Sequence, residues 1–178
     1  MDNSELLHIS LVRAVRRRQG FGILFLQCSP VYGQAVLSRL QADVPQKKMG
    51  QITLTKESRT LFRQVADRED VNELDVLFVF GIDEVLAPYS EQVGTLESER
   101  DLHEMMKVLP PILNHLNLLR ENFLVRFPHI CFVYVVSPFS LRFFMYRAID
   151  FFAWHSGIWR FSAFSQAKLM QSGRIAET

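Results

Sequence analysis

The chain has 178 residues, 48% of them hydrophobic and 22% charged, with 20 Lys and Arg against 19 Asp and Glu. This is the composition of a folded domain long enough to bury a core, and it excludes disordered, collagen-like and low-complexity readings. Two lone cysteines, Cys28 and Cys131, exclude a disulfide framework and fit a reducing, cytoplasmic setting.

The opening Met1-Asp2-Asn3-Ser4-Glu5 is acidic and polar, unlike a signal peptide. Leu7, Leu11, Ala14 and Val15 recur at helical spacing, so 4–18 is predicted as an amphipathic helix that Gly20 ends. Phe21 to Gln27 is a continuous apolar run, the pattern of a strand buried on both faces. A turn at Pro30–Gly33 should precede a helix over 34–43. A short strand is expected at 51–55 and a helix at 58–66.

Leu74 to Ile82 is a second buried strand, ending in Asp83-Glu84, and the acidic stretch 88–100 is expected to be an exposed loop. Helices follow at 101–109 and from Pro111 to about Phe127, with Pro near the start of the second. Ile130 to Val136 is a third buried strand. Leu141, Phe144, Met145 and Ala148 then mark another helix. The uncharged apolar run Pro128 to Leu141 has 14 residues and is too short to span a bilayer. Helices alternating with wholly apolar strands define an α/β fold: three α/β/α layers around a mostly parallel sheet. A single domain over 1–164 and a polar tail over 165–178 are expected.

Charge is segregated. Residues 67–104 carry 12 acidic and 2 basic side chains, while the segments on either side are basic. A nucleic-acid binder does not normally carry so acidic a stretch, so no nucleic-acid partner is expected. The cluster Arg16-Arg17-Arg18 suits the negative end of a helix dipole.

Ligands of parallel sheets gather at the carboxyl ends of the strands. A phosphate loop after the first strand would need Gly-x-x-x-x-Gly-Lys-Ser/Thr. Cys28-Ser29-Pro30-Val31-Tyr32-Gly33 has one glycine, no lysine, and a proline that removes a donor. After the second strand, Asp83 and Glu84 follow four apolar residues, as in the magnesium-handling strand of an ATPase. They are candidate cofactor-binding residues, with capping of the next element as the plainer role. His103-Glu104-Met105-Met106-Lys107 lacks the second histidine of a zinc motif, Ser165-Gln166-Ala167-Lys168 matches Ser-x-x-Lys only in spacing, and no Gly-x-Ser-x-Gly elbow exists. No catalytic residue, metal or cofactor is expected, and the chain is read as a non-enzyme.

Residues 123–164 hold 14 of the 21 aromatics, with Arg142, Arg147 and Arg160 interleaved. Core, protein interface, and contact with bases or anionic lipid are the readings open at this point. Gly157 is read as a helix stop that sends Ile158-Trp159-Arg160-Phe161 out as an extended segment. Trp154 should then pack on the core, while 158–161 forms a sheet edge or meets a partner through Trp159, Arg160 and Phe161.

Leu116-Asn117-Leu118-Leu119-Arg120-Glu121 resembles the Leu-Asn-x-x-Arg-Glu helix of an ATPase-like domain found in large bacterial proteins. The run Ala148-Ile149-Asp150-Phe151-Phe152-Ala153-Trp154-His155-Ser156-Gly157-Ile158-Trp159-Arg160-Phe161 is similar to that family's Ala-Pro-Asp-Phe-Trp-x-Trp-Arg-Ser-Gly-x-Phe-x-Phe segment. Ile149 stands for its proline, Phe152 for its first tryptophan and His155 for its arginine. The family is related to the signal-transducing STAND ATPases of the AAA type, many lacking the phosphate loop. The resemblance covers about residues 5–161. It implies a P-loop-ATPase-like topology and an inactive regulatory or protein-interaction role. A protein partner, a neighbouring domain or a second copy of the chain would bind it. A nucleotide-binding signalling domain with an atypical phosphate loop is the first alternative, and a module touching anionic lipid or nucleic acid the second.

Overall fold

Alternation along the strands builds two cores, one on each side of a single sheet. The computed structural model describes residues 2–163, 166 and 167; the rest of the expected tail, including Ser165 and Lys168, lies outside them. Among the described residues the sheet has five strands: β1 (Gly22–Gln27), β2 (Met49–Thr53), β3 (Val76–Phe80), β4 (Cys131–Val136) and β5 (His155–Arg160). Their order is β2-β3-β4-β1-β5, and every pairing is parallel. This is the P-loop-ATPase-like topology expected, and it makes the sheet wholly rather than mostly parallel.

Ile23, Phe25, Leu77, Val79, Phe132 and Tyr134 point to one face, while Leu24, Leu26, Phe78, Phe80, Val133 and Val135 point to the other. The second face is covered by α1 (Asn3–Arg17) and α2 (Pro30–Asp43) through Leu11, Val15, Val36 and Leu40. The first is covered by α3 (Phe62–Ala66), α4 (Ile82–Val93), α5 (Glu99–Met106), α6 (Pro111–Arg126), α7 (Pro138–Arg147) and α8 (Ile149–Phe152). Both faces being covered explains why the inner strands are apolar throughout. Among the described residues, no helix is long and apolar enough to cross a membrane.

Some element ends shift, α3 beginning at Phe62 rather than 58 and β3 ending at Phe80 rather than 82, and three local expectations change in kind. The turn at 30–33 is instead the first turn of α2, because Ser29 caps it and Pro30 is pre-set for the first helical position. Most of the loop expected over 88–100 is helical. Gly81, at φ +87°, turns the chain straight from β3 into α4, and that helix carries Pro88 within it. A Cβ at Gly81 would lie 2.0 Å from the carbonyl oxygen of Leu54, so the turn requires glycine. Gly157 is not a helix stop. The helix ends at Phe152 and Gly157 lies inside β5, where a Cβ would come within 2.6 Å of the Trp159 ring.

Candidate functional site

The carboxyl edge of the sheet is organised by two Ser-Pro steps. Ser29-Pro30 follows β1 and Ser137-Pro138 follows β4, and each serine caps the helix after it. The Ser29 hydroxyl accepts from Tyr32 N at 3.2 Å, and that of Ser137 from Ser140 N at 3.2 Å. Gly33, one turn into α2, lets the helix sit on the sheet. A Cβ there would lie 2.8 Å from Val135 and 3.0 Å from Phe80.

The amide of Ser29 donates to the side-chain oxygen of Gln166 at 3.0 Å, and the same carboxamide donates to the Phe161 carbonyl at 2.9 Å. Gln166 thus lies over the start of α2. Cys28 is buried there, and its thiol is pushed up to about 12, first by burial and then by the charge of Asp83.

Asp83 stands in the first turn of α4, where a carboxylate suits the helix dipole. Its Oδ1 accepts the backbone N–H of Ser137 at 2.9 Å and the hydroxyl of Ser140 at 2.5 Å. It therefore ties the end of β3 to the start of α7. Glu84 is exposed and lines a cavity of about 490 Å³ with Pro30, Gln34, Thr55, Lys56 and Phe80. A more open groove of about 720 Å³ carries Lys56, Asp83, Glu84 and Glu91. Both members of the sequence-predicted pair thus line the open groove with Lys56; Asp83 is also bonded to the start of α7, and Glu84 also lines the smaller cavity.

Trp159 and Phe161 share one side of β5, as alternation requires, and that side is the core. Both are buried beneath α1 and α2, with Trp159 Nε1 donating to Ser10 Oγ at 3.2 Å and Phe161 packed on Tyr32. Only Arg160 of the three reaches solvent. Trp154 is half-buried against the other core, edge-on to Phe21, with the Arg120 guanidinium 5.9 Å from its ring. Arg16 and Arg18 tie the end of α1 down, to the Asp43 carbonyl and the Ser156 hydroxyl.

The two segments that carry the family resemblance dock on each other. Asn117 Oδ1 accepts from Phe151 N at 3.0 Å, and Arg120 approaches Asp150 at 3.9 Å. Ser137, Ser140, Lys56 and Gln166 were not singled out by sequence reasoning. The repeated Ser-Pro step after a buried strand is the signal that points to Ser137.

No protein-family model matches the chain, and no curated protein matches it in sequence. Among solved structures it is similar to the Aeropyrum pernix ORC2 protein in its ADP form, with a TM-score of 0.44 and 9% identity. That similarity covers 94% of this chain and 49% of the other, so the chain spans about half the length of the structure it matches. The class defined by the sheet order is an α/β domain of P-loop-ATPase-like topology.

Proposed function

We propose that the chain is a non-catalytic regulatory or protein-interaction module built on a degenerate ATPase-like fold, of the STAND kind used in signalling. The observation that carries this reading is the employment of Asp83. The carboxylate in the place of a magnesium-handling residue accepts two hydrogen bonds from the start of α7. Its surroundings agree with that role: the start of α2 carries no lysine, Pro30 has no N–H to give, and Ser29 N donates to Gln166. The module works without a bound cofactor. Its partner is a protein, a neighbouring domain or a second copy of the chain, met in part through Arg160.

Thermal melts with millimolar ATP and magnesium test the reading. A ligand at 100 times its Kd adds about 2.7 kcal/mol to the native state, so an unchanged Tm is the expected result. An ATP-dependent rise in Tm that Asp83→Ala abolishes overturns it.

A second reading, a nucleotide binder with an atypical loop, is favoured by the 490 Å³ cavity that Lys56 and Glu84 line. On that reading Lys56, delivered from the loop after β2, supplies the cation that α2 lacks. The rise in Tm would then be lost in Lys56→Ala, an exposed position whose replacement leaves the fold intact.

A further inference from the structure

A different cavity lies at the same carboxyl edge, on the face away from α2. Odd-numbered residues of β1 and even-numbered residues of β5 point to that face, and Gln27 and Arg160 are register partners at the last paired position. α7 crosses above them and brings Arg142, Met145 and Tyr146 over the same spot. Together with the 96–97 segment these residues enclose about 450 Å³, within the range of small-ligand pockets.

Two arginines therefore line one concave space. Arg142 donates to the carbonyl of Leu96 at 3.1 Å, which anchors its head at the wall. Leu96 holds φ +63°, the left-handed region that a leucine rarely adopts, while its side chain is buried. Arg160 is exposed and has no ion-pair partner among the described residues. Glu97 on the rim supplies one opposing charge, leaving the pocket net positive. Leu141, Met145 and Tyr146 give it an apolar side.

We propose that this pocket binds a small organic anion, a phosphate monoester or a carboxylate with a flat apolar body. The anionic head is received by Arg160 and Arg142, and the body lies against Met145 and Tyr146. Planar guanidinium groups match both oxyanions in a two-pronged geometry that lysine cannot reproduce. A hollow of this size fits a small molecule rather than the flat, wide contact of a protein.

Titration calorimetry at low ionic strength, with phenyl phosphate and benzoate as probes, tests the proposal. The wild-type chain should bind at least one of them. Phenyl phosphate alone assigns the head to a phosphate, and benzoate bound as well extends it to carboxylates. Arg160→Ala should weaken binding roughly tenfold or more, Arg160→Lys should recover only part of it, and Glu97→Gln should tighten it. Arg160 is solvent-exposed, so its variants should melt as the wild type does. Arg142→Ala serves as a second probe of the site, read beside its own melting curve. Failure of both probes to bind at millimolar concentration, or binding unchanged by Arg160→Ala, overturns the proposal.

Discussion

Asp83 accepts the backbone N–H of Ser137 at 2.9 Å, across 54 residues of sequence. One carboxylate thereby joins the first turn of α4 to the first turn of α7, since it also takes the hydroxyl of Ser140, which is wholly buried. Removing a charged acceptor from buried donors costs about 1–3 kcal/mol. Asp83→Ala is expected to lose that much in urea unfolding. Asp83→Asn keeps an acceptor oxygen and should lose less. A variant as stable as the wild type would leave the clasp without energetic content.

The indole of Trp159 lies across Gly157, two residues earlier on the same side of β5. A methyl group there would meet the ring at 2.6 Å, and the ring is held by burial and by its bond to Ser10. Gly157→Ala should therefore destabilise by about 1–3 kcal/mol through overpacking. Adding Trp159→Leu should relieve the clash, so the double variant should be less destabilised than the two single losses added together. Strict additivity in a double-mutant cycle would show that the contact is not the cause.

Glu5 on α1 meets Arg39 on α2 through two hydrogen bonds, the shorter 2.7 Å. The Arg39 guanidinium holds the Glu5 carboxyl below its ordinary value of 4.5. A depressed carboxylate contributes its stability above the unfolded value and loses it as pH falls through the folded one. The pair is partly exposed, with about two-fifths of each side chain open to solvent, so its worth is about 0.2–1 kcal/mol. Urea melts of wild type and Glu5→Gln should differ by that amount at neutral pH and converge below 4.5. A gap that persists in acid would remove Arg39 from the account.

Burial pushes the thiol of Cys28 up to about 12 and that of Cys131 to about 11. Both stay protonated near neutrality, and the thiolate is the reactive form. An aromatic disulfide reagent at pH 8 should label neither thiol in the folded chain and both in denaturant. Rapid labelling of the native protein would place one of them at the surface.

Strands were the most legible part of the fold, because wholly apolar runs such as Ile130 to Val136 have few alternatives to a doubly covered sheet. Helix starts were less so. Ser29-Pro30 signals a cap and a first helical residue, yet Pro-Val-Tyr-Gly also has the composition of a turn. The stripe Ile82, Val85, Leu86, Tyr89 and Val93 has helical spacing, but Pro88 and the acidic surroundings mask it. At the candidate site, the place of Asp83 just after a buried strand is visible in sequence, whereas its partners are not: it makes no cap bond to α4, the next element, and bonds to α7 instead. Ser137 and Ser140 reach it only because β3 and β4 are neighbours, a fact of strand order that no local pattern encodes. Alternation put Trp159 and Phe161 on one side of an edge strand, but could not say that α1 and α2 cover that side.

The place of β1 in the sheet bears on how the molecule comes into being. Ile23 pairs with Phe132 on one flank and with His155 on the other. A ribosome making the chain therefore exposes β1 long before either neighbour exists, and contacts so distant in sequence form slowly. Through that interval β1 is an apolar ribbon with both edges bare, the kind of segment that pairs with foreign strands. A nascent chain halted before residue 155 would lack one of the two strands that flank β1, and its encounter with chaperones would be set by how long translation takes to reach β5.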